Sequence, residues 1–318
     1  MSEFRKVITK PGEIIDFETV FEENPYLRTG VPTKKGTVER VDYTTDVYED
    51  GKTYSKYCYV YLPYGYDPEN KDKKYNVLYF QHGNTCEPSI FAIGGNKPMI
   101  DMLFESGEID PVIMVSVTFY MDPMGECAYE RLITGRAAAG DGGWDALPGN
   151  YYREVVEDIV PTVEMKYNTY LTAPTEEAVM ASRDHRAFSG YSRGGAMTWR
   201  MWHHCFEYFR YFCPMSAATR GDLKKGTPMS DEQVIDYITY PVKKNPQLPF
   251  FLFVSNGGPE DQLQLNKHMK FLTHQDCFSY GPDPAKNNIY YAVSDFYHTD
   301  FLVPYYYWNS LKVLFKGV

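Results

Sequence analysis

Ser192 lies in Gly190-Tyr191-Ser192-Arg193-Gly194, a Gly-x-Ser-x-Gly pattern inside the stretch FSGYSRGGAMTW. A serine on a tight turn between a strand and a helix has strained dihedrals, and small residues two before and two after it let neighbouring chain pass closely. On such a turn the hydroxyl projects, and the unpaired N–H groups of the helix start face any negative charge that develops on a substrate. The chemistry is nucleophilic attack on an acyl carbonyl, which needs a base within hydrogen-bond reach and a carboxylate to fix the base's tautomer. Where this turn is used, the acid and then the histidine follow the serine in the chain. Asp261 in GGPED and His298 in FYHTDF meet that order, with Glu260, Asp283 and Asp295 as rival acids and His268 and His274 as rival bases. The two rival histidines fall on or at the end of a predicted helix, Gln262 to Thr273, which points them away from the strand ends. The second oxyanion donor is sought at the end of YNVLYFQHG, where the N–H of Asn84 would stand opposite that of Arg193. His82-Gly83 also reads as an ordinary strand end with a hydrogen-bonded histidine.

The elements that must carry these residues alternate in type. Val41 to Pro63 alternates as two antiparallel strands around the turn Glu49-Asp50-Gly51-Lys52, and Tyr75 to Gly83 is a buried strand. Ile100 to Ser106 reads as a helix and Pro111 to Met121 as the next buried parallel strand. Asp122 to Asn150 is too long for a simple connection and is expected to border the site, with Tyr120, Tyr129 and Trp144 as candidates for its wall. These rings read equally well as core or lid packing. Tyr151 to Tyr167 has helical spacing at Val155, Val156, Ile159, Val160 and Val163, with Pro161 marking a kink. Arg186 to Ser189 is the strand that feeds the serine, and Gly194 to His204 is the helix that leaves it. Tyr211 to Ser216, Pro249 to Gly257 and Asn287 to Asp295 are further strands, and Leu302 to Phe315 is a final helix. Ala217 to Gln247 is polar, helical over Met229 to Tyr240, and is expected to be an insertion over the cleft. The acid and the base then both fall just past strand ends, on the carboxyl edge of the sheet that presents Ser192. Residues 1 to 40 are expected to be an arm packed on a single catalytic domain, 41 to 318.

Composition narrows the function. Net charge is −10 with no basic run, so binding to a phosphate backbone lacks its main electrostatic term and nucleic acid is not an expected partner. The longest apolar runs are of strand length, so no membrane span is expected. MSEFRKVITKPGE has no apolar signal core, which reads as cytoplasmic for the chain as written and as secreted if a leader was trimmed. The six cysteines form no Cys-x-x-Cys pair, and His203-His204-Cys205 is read as helix packing, because adjacent helical residues point apart. Neither a metal nor a cofactor is expected.

The ordered blocks VYLPYGYDP, NVLYFQHG, VVEDIVPTVEMKY, SRDHRAFSGYSRGGAMTW and YHTDF resemble the feruloyl-esterase-like branch of carbohydrate esterase family one. The resemblance covers about Val60 to Leu314 and is most specific at the nucleophile block. It implies an α/β-hydrolase fold: a central, mostly parallel sheet with helices on both faces and an inserted cap or lid. It also implies a Ser192–Asp261–His298 triad and hydrolysis of hydroxycinnamate esters, on plant cell-wall oligosaccharides or small phenolic esters. Acetylxylan esterases and other acyl hydrolases share the family, and a non-catalytic carbohydrate-binding relative is the reading from another class. Two positions depart from the family's pattern. Arg193 stands where methionine is usual, and GGPED replaces the Gly-Thr-x-Asp form around the acid.

Overall fold

The computed structural model describes residues 3–10, 13–83, 88, 96–120, 149–221, 229–257, 263–298 and 303–316. Among the described residues, ten strands and, apart from a 3-10 turn at Arg183–His185, eight helices follow in chain order. The strands are β1 (Glu3–Lys10), β2 (Glu13–Phe21), β3 (Thr37–Thr45), β4 (Tyr54–Leu62), β5 (Val77–Gln81), β6 (Ile113–Val117), β7 (Arg186–Tyr191), β8 (Tyr211–Met215), β9 (Phe251–Asn256) and β10 (Ile289–Val293). The helices are α1 (Tyr26–Thr29), α2 (Asn96–Glu105), α3 (from Tyr151–Glu154 through Val155–Ile159 to Val160–Glu164), α4 (Glu176–Ala181), α5 (Arg193–His204), α6 (Asp231–Lys244), α7 (Leu263–Leu272) and α8 (Val303–Ser310).

Eight strands form one sheet in the order β3-β4-β6-β5-β7-β8-β9-β10, antiparallel at β3-β4-β6 and parallel from β6 to β10. The central strands are apolar on both faces because both faces are covered. In β5, Val77 and Tyr79 enter a core shared with α3, α5, α6 and α7, whereas Leu78 and Phe80 enter the opposite core with α2 and α8. From β5 the chain moves to β6 on one side, then crosses back to β7 on the other. In open sheets of this kind ligands bind beyond the carboxyl ends of the strands at such a reversal, which here falls at β5 and β7.

β1 and β2 form a separate antiparallel pair, with β2 beside β10 and β1 beside α7. The turn between β3 and β4 uses positive φ at Glu49 (59°) and Gly51 (75°). Within α3 the ladder widens to π geometry over Val155–Ile159, and the Val160 N–H reaches the Val155 carbonyl. Pro161 comes next, with no N–H to donate and a ring that crowds the preceding turn, so the expected kink takes the form of a π-bulge.

The expected cleft insertion has a different character over its second half. α6 starts at a capping box, Ser230 with Gln233, and buries Val234, Ile238 and Val242 in the core. The Trp202 indole N–H donates to the Ile238 carbonyl at 2.8 Å. A parallel β8-to-β9 connection needs a crossover of this length, and here α6 supplies it. Residues 222–228, which precede it, lie outside the described residues. Among the described residues no helix is long and apolar enough to cross a membrane.

Two fully buried ion pairs pin α3. Lys56 on β4 meets Glu154 at 2.6 Å, and Glu154 also accepts from the Tyr43 and Tyr48 hydroxyls. Arg186, the first residue of β7, makes a two-pronged contact with Glu164 at 2.6 and 2.8 Å. Its remaining donors go to the Val179 and Tyr208 carbonyls and the Ser182 hydroxyl, and Tyr79 completes Glu164. Removing one partner of such a pair strands a buried charge. Glu164→Leu is expected to lower unfolding free energy by about 3–5 kcal/mol, measured by urea denaturation; a change within experimental error would contradict this account of Arg186.

Candidate active site

β7 runs fully buried to Tyr191, and the next residue, Ser192, has φ 56° and ψ −115° before α5 begins. Such a backbone is costly for a residue with a Cβ, so the surroundings must impose it. The Ser192 N–H donates to the Met215 carbonyl at 2.9 Å, and its carbonyl accepts from Ala196 at 3.0 Å. The glycines are required by contact. A Cβ on Gly194 would lie 2.0 Å from the Gln81 carbonyl oxygen, and one on Gly190 would lie 2.3 Å from the Gly194 oxygen. Helix α5 therefore starts flush against the end of β5.

The Ser192 Oγ stands 2.8 Å from His298 Nε2. His298 lies five residues beyond β10 on a stretch with its own anchors. The Ser294 N–H donates to the Asn256 carbonyl at 2.8 Å, and the Phe296 N–H donates to the Ser294 hydroxyl at 3.3 Å. Gly257 lies directly beneath, where a Cβ would be 2.6 Å from the Phe296 oxygen. The imidazole rests against the Tyr191 ring at 4.9 Å between centroids, and Tyr191 is parallel to Tyr306 at 6.4 Å. Serine and histidine, 106 positions apart in sequence, thus meet across the ends of β7 and β10.

The other expected site residues divide into those the structure describes and those it does not. Asp261, Asn84, Tyr129 and Trp144 lie outside the described residues, as does Glu260. Arg193 is the first residue of α5, where a backbone N–H has no partner within the helix. Its guanidinium stacks over Phe119 at 4.8 Å. Tyr120 is buried against Phe119 and His82. His82 is fully buried, with Nδ1 2.7 Å from the Gly83 carbonyl and Nε2 2.8 Å from the Thr118 hydroxyl. Its ring is thus engaged in holding the end of β5. His203 stacks on Tyr237 at 3.9 Å and His204 on Tyr152 at 4.3 Å, so this pair packs between helices.

His268 is buried on α7, with Nδ1 lacking a hydrogen-bond partner among the described residues. His274 bonds the Lys270 carbonyl at 2.6 Å. Asp283 precedes β10 and pairs with Lys286, and Asp295 is exposed just past that strand. Three contributors had no motif to announce them: the Tyr191–Tyr306 column, the glycine floor at Gly257, and Ser216. Ser216 has φ 50°, and its hydroxyl accepts from the Gly257 N–H at 3.3 Å. The tyrosine run at 305–307 and a glycine directly after a buried strand were the available signals.

The family model Esterase, described as "Putative esterase", matches residues 56–275. Endo-1,4-beta-xylanase Y of Acetivibrio thermocellus is 30% identical over 240 residues, 74% of this chain and 19% of that protein. Endo-1,4-beta-xylanase/feruloyl esterase of Xylanibacter ruminicola is 25% identical over 221 residues, 67% of this chain and 24% of its own length. The chain therefore spans about a fifth to a quarter of these curated relatives. Among solved structures, a serine-to-alanine mutant of the feruloyl esterase module from Clostridium thermocellum, complexed with sinapinate, superposes with a TM-score of 0.74. It is 25% identical, and the match covers 99% of this chain and 97% of that one.

Two outcomes follow from the packing. Gly194→Ala is expected to cost about 3 kcal/mol or more, because the new methyl meets backbone. It should also displace Ser192 from His298, read as lost labelling by a fluorophosphonate; normal labelling would contradict the steric argument. Burial pulls the His268 imidazole down to about 4, against the opposing charge of Asp231. A histidine held neutral in the fold binds its proton more readily when unfolded. Its stabilising contribution is therefore complete above the unfolded value of about 6.5 and is lost as pH falls toward 4, about 3 kcal/mol in all. Urea titrations of His268→Gln should show a flatter stability curve across that window than the parent, and an unchanged slope would count against it.

Proposed function

The chain belongs to the esterase family and has the α/β-hydrolase fold, and on that premise we propose that it is a serine carboxylic ester hydrolase of the feruloyl type. The observation that carries the reading is the 2.8 Å approach of Ser192 Oγ to His298 Nε2 at a strained strand-to-helix turn. In the resting state the Ser192 hydroxyl donates to a neutral His298. As Ser192 attacks the ester carbonyl, its proton passes to Nε2, and a tetrahedral intermediate forms. The negative oxygen is held by the main-chain N–H groups of Arg193 and Asn84, each donor contributing roughly two to three orders of magnitude. The imidazolium then protonates the departing alcohol, leaving the acyl group on Ser192. Water then attacks the acyl carbonyl as His298 takes its proton, and return of that proton to Ser192 Oγ as the acyl–oxygen bond breaks releases the acid and restores the serine. Asp261 is proposed as the carboxylate that fixes the tautomer of His298.

The acyl group is read as a hydroxycinnamate, released from plant cell-wall oligosaccharides or from small phenolic esters. Support comes from the near-complete match to a feruloyl esterase module bound to sinapinate and from the two xylan-degrading relatives. Tyr120, Tyr129 and Trp144 are the proposed ring-binding candidates. Tyr120's burial makes it a support behind the wall more than a surface of it.

Purified protein should hydrolyse methyl ferulate with a higher kcat/KM than naphthyl acetate, and release little acetate from acetylated xylan. The reverse preference would favour a deacetylase, and no turnover of any ester would favour a binding protein. Ser192→Ala should lower turnover by about five orders of magnitude or more with the circular dichroism spectrum unchanged. Near-normal hydrolysis by this variant would refute the assignment.

A further inference from the structure

We infer that Phe21, at the end of the terminal β-hairpin and far from the serine in sequence, is a positioning residue for His298. The inference rests on the esterase reading only in taking His298 as the base. Phe21 is 1% exposed, although it ends a strand outside the main sheet. Its ring meets Phe296 edge-on at 5.8 Å between centroids and Tyr306 at 5.9 Å.

These two neighbours are the two supports of the histidine. Phe296 lies two residues before His298 and is held from the other side by Tyr305 at 5.2 Å. Tyr306 backs Tyr191, on which the imidazole rests. One side chain therefore touches both the strap that carries the base and the column behind its ring. The imidazole itself is exposed and stands beyond its strand, so this packing, with the Ser294 and Gly257 contacts, fixes its distance to Ser192.

Phe21 is in turn held by bonds that span nearly the whole chain. The Val20 N–H donates to the Tyr290 hydroxyl at 2.8 Å, and the Glu22 N–H donates to the Asn309 side-chain oxygen at 2.8 Å. Asn309 returns a bond to the Glu22 carbonyl at 3.0 Å, and Lys312 pairs with the Glu22 carboxylate at 2.7 Å. Four polar contacts on the two residues flanking one buried ring form a mount for that ring. Aromatic pairs of this geometry each contribute about 0.5–1.5 kcal/mol beyond burial, so truncation leaves a cavity beneath the strap while the sheet and α5 remain intact.

The test is Phe21→Ala and Phe21→Leu in the full chain, with kcat and KM on methyl ferulate and the rate of Ser192 labelling by a fluorophosphonate. Phe21→Ala is expected to lower kcat and the labelling rate roughly tenfold or more with KM within twofold, and Phe21→Leu to recover most of both. A folded Phe21→Ala protein with parental kcat and labelling would overturn the inference. So would a loss confined to KM, or one accounted for by the unfolded fraction seen in thermal melts. If Phe21→Ala does not fold, the milder truncation Phe21→Val carries the same expectation and the same refutation. Parental turnover that vanishes in Ser192→Ala checks the esterase reading in the same assay. A parent protein that labels normally but hydrolyses no ester counts against that reading alone, and the labelling rates still decide the role of Phe21.

Discussion

The architecture depends on one close backbone approach, the passage of Gly194 across the carbonyl of Gln81. Because no side chain fits there, α5 can begin at the end of β5, and β7 must turn sharply to enter it. The positive φ at Ser192 is the result of that constraint. The strain is carried by the bonds around it: the Ser192 N–H goes to β8 through Met215, and the carbonyl enters the first turn of α5. A hydroxyl raised in this way has its helix N–H groups on one side and the ends of β9 and β10 on the other.

The rest of the molecule keeps that arrangement stiff. The Arg186–Glu164 pair fixes the start of the strand whose other end carries Ser192, and ties it to α3 and to Tyr79 on the neighbouring strand. All five guanidinium donors have acceptors, the condition under which a buried arginine is tolerated. The Lys56–Glu154 pair does the same for the antiparallel edge of the sheet. On the far side, apolar packing takes over. Tyr191, Tyr306, Phe21 and Phe296 form a set of contacting rings under the histidine.

Much of this was legible in the sequence because it depends on local pattern. The buried strands read as continuous apolar runs, the serine turn as Gly-x-Ser-x-Gly, and the late histidine as the group beyond the last strand. Several features were not legible, because they depend on contacts between distant residues. Nothing near Phe21 in the sequence points to a tyrosine 285 positions away that it would meet edge-on. The polar composition of 217–247 suggested a cover over the cleft, but α6 turns its few apolar residues inward at helical spacing and serves as a crossover. His82 carried both a catalytic-edge and a bland reading. Its two short bonds at zero exposure show a ring devoted to structure, while the role proposed for its surroundings lies in the main chain that follows.

The docking of residues 19–22 on Tyr290 and Asn309 has a consequence for how the protein is made. The pairs that close this contact are separated by 270 and 287 positions, so β10 and α8 leave the ribosome long after the residues they receive. Domains gather their early segments during synthesis, and contacts of great sequence separation form late. The serine turn, built from residues 81 to 215, can be complete while the histidine strap still has no floor. Competence for reaction should therefore lag behind compactness on the folding path, and the rate at which the β1–β2 hairpin finds β10 and α8 would set when the enzyme begins to work.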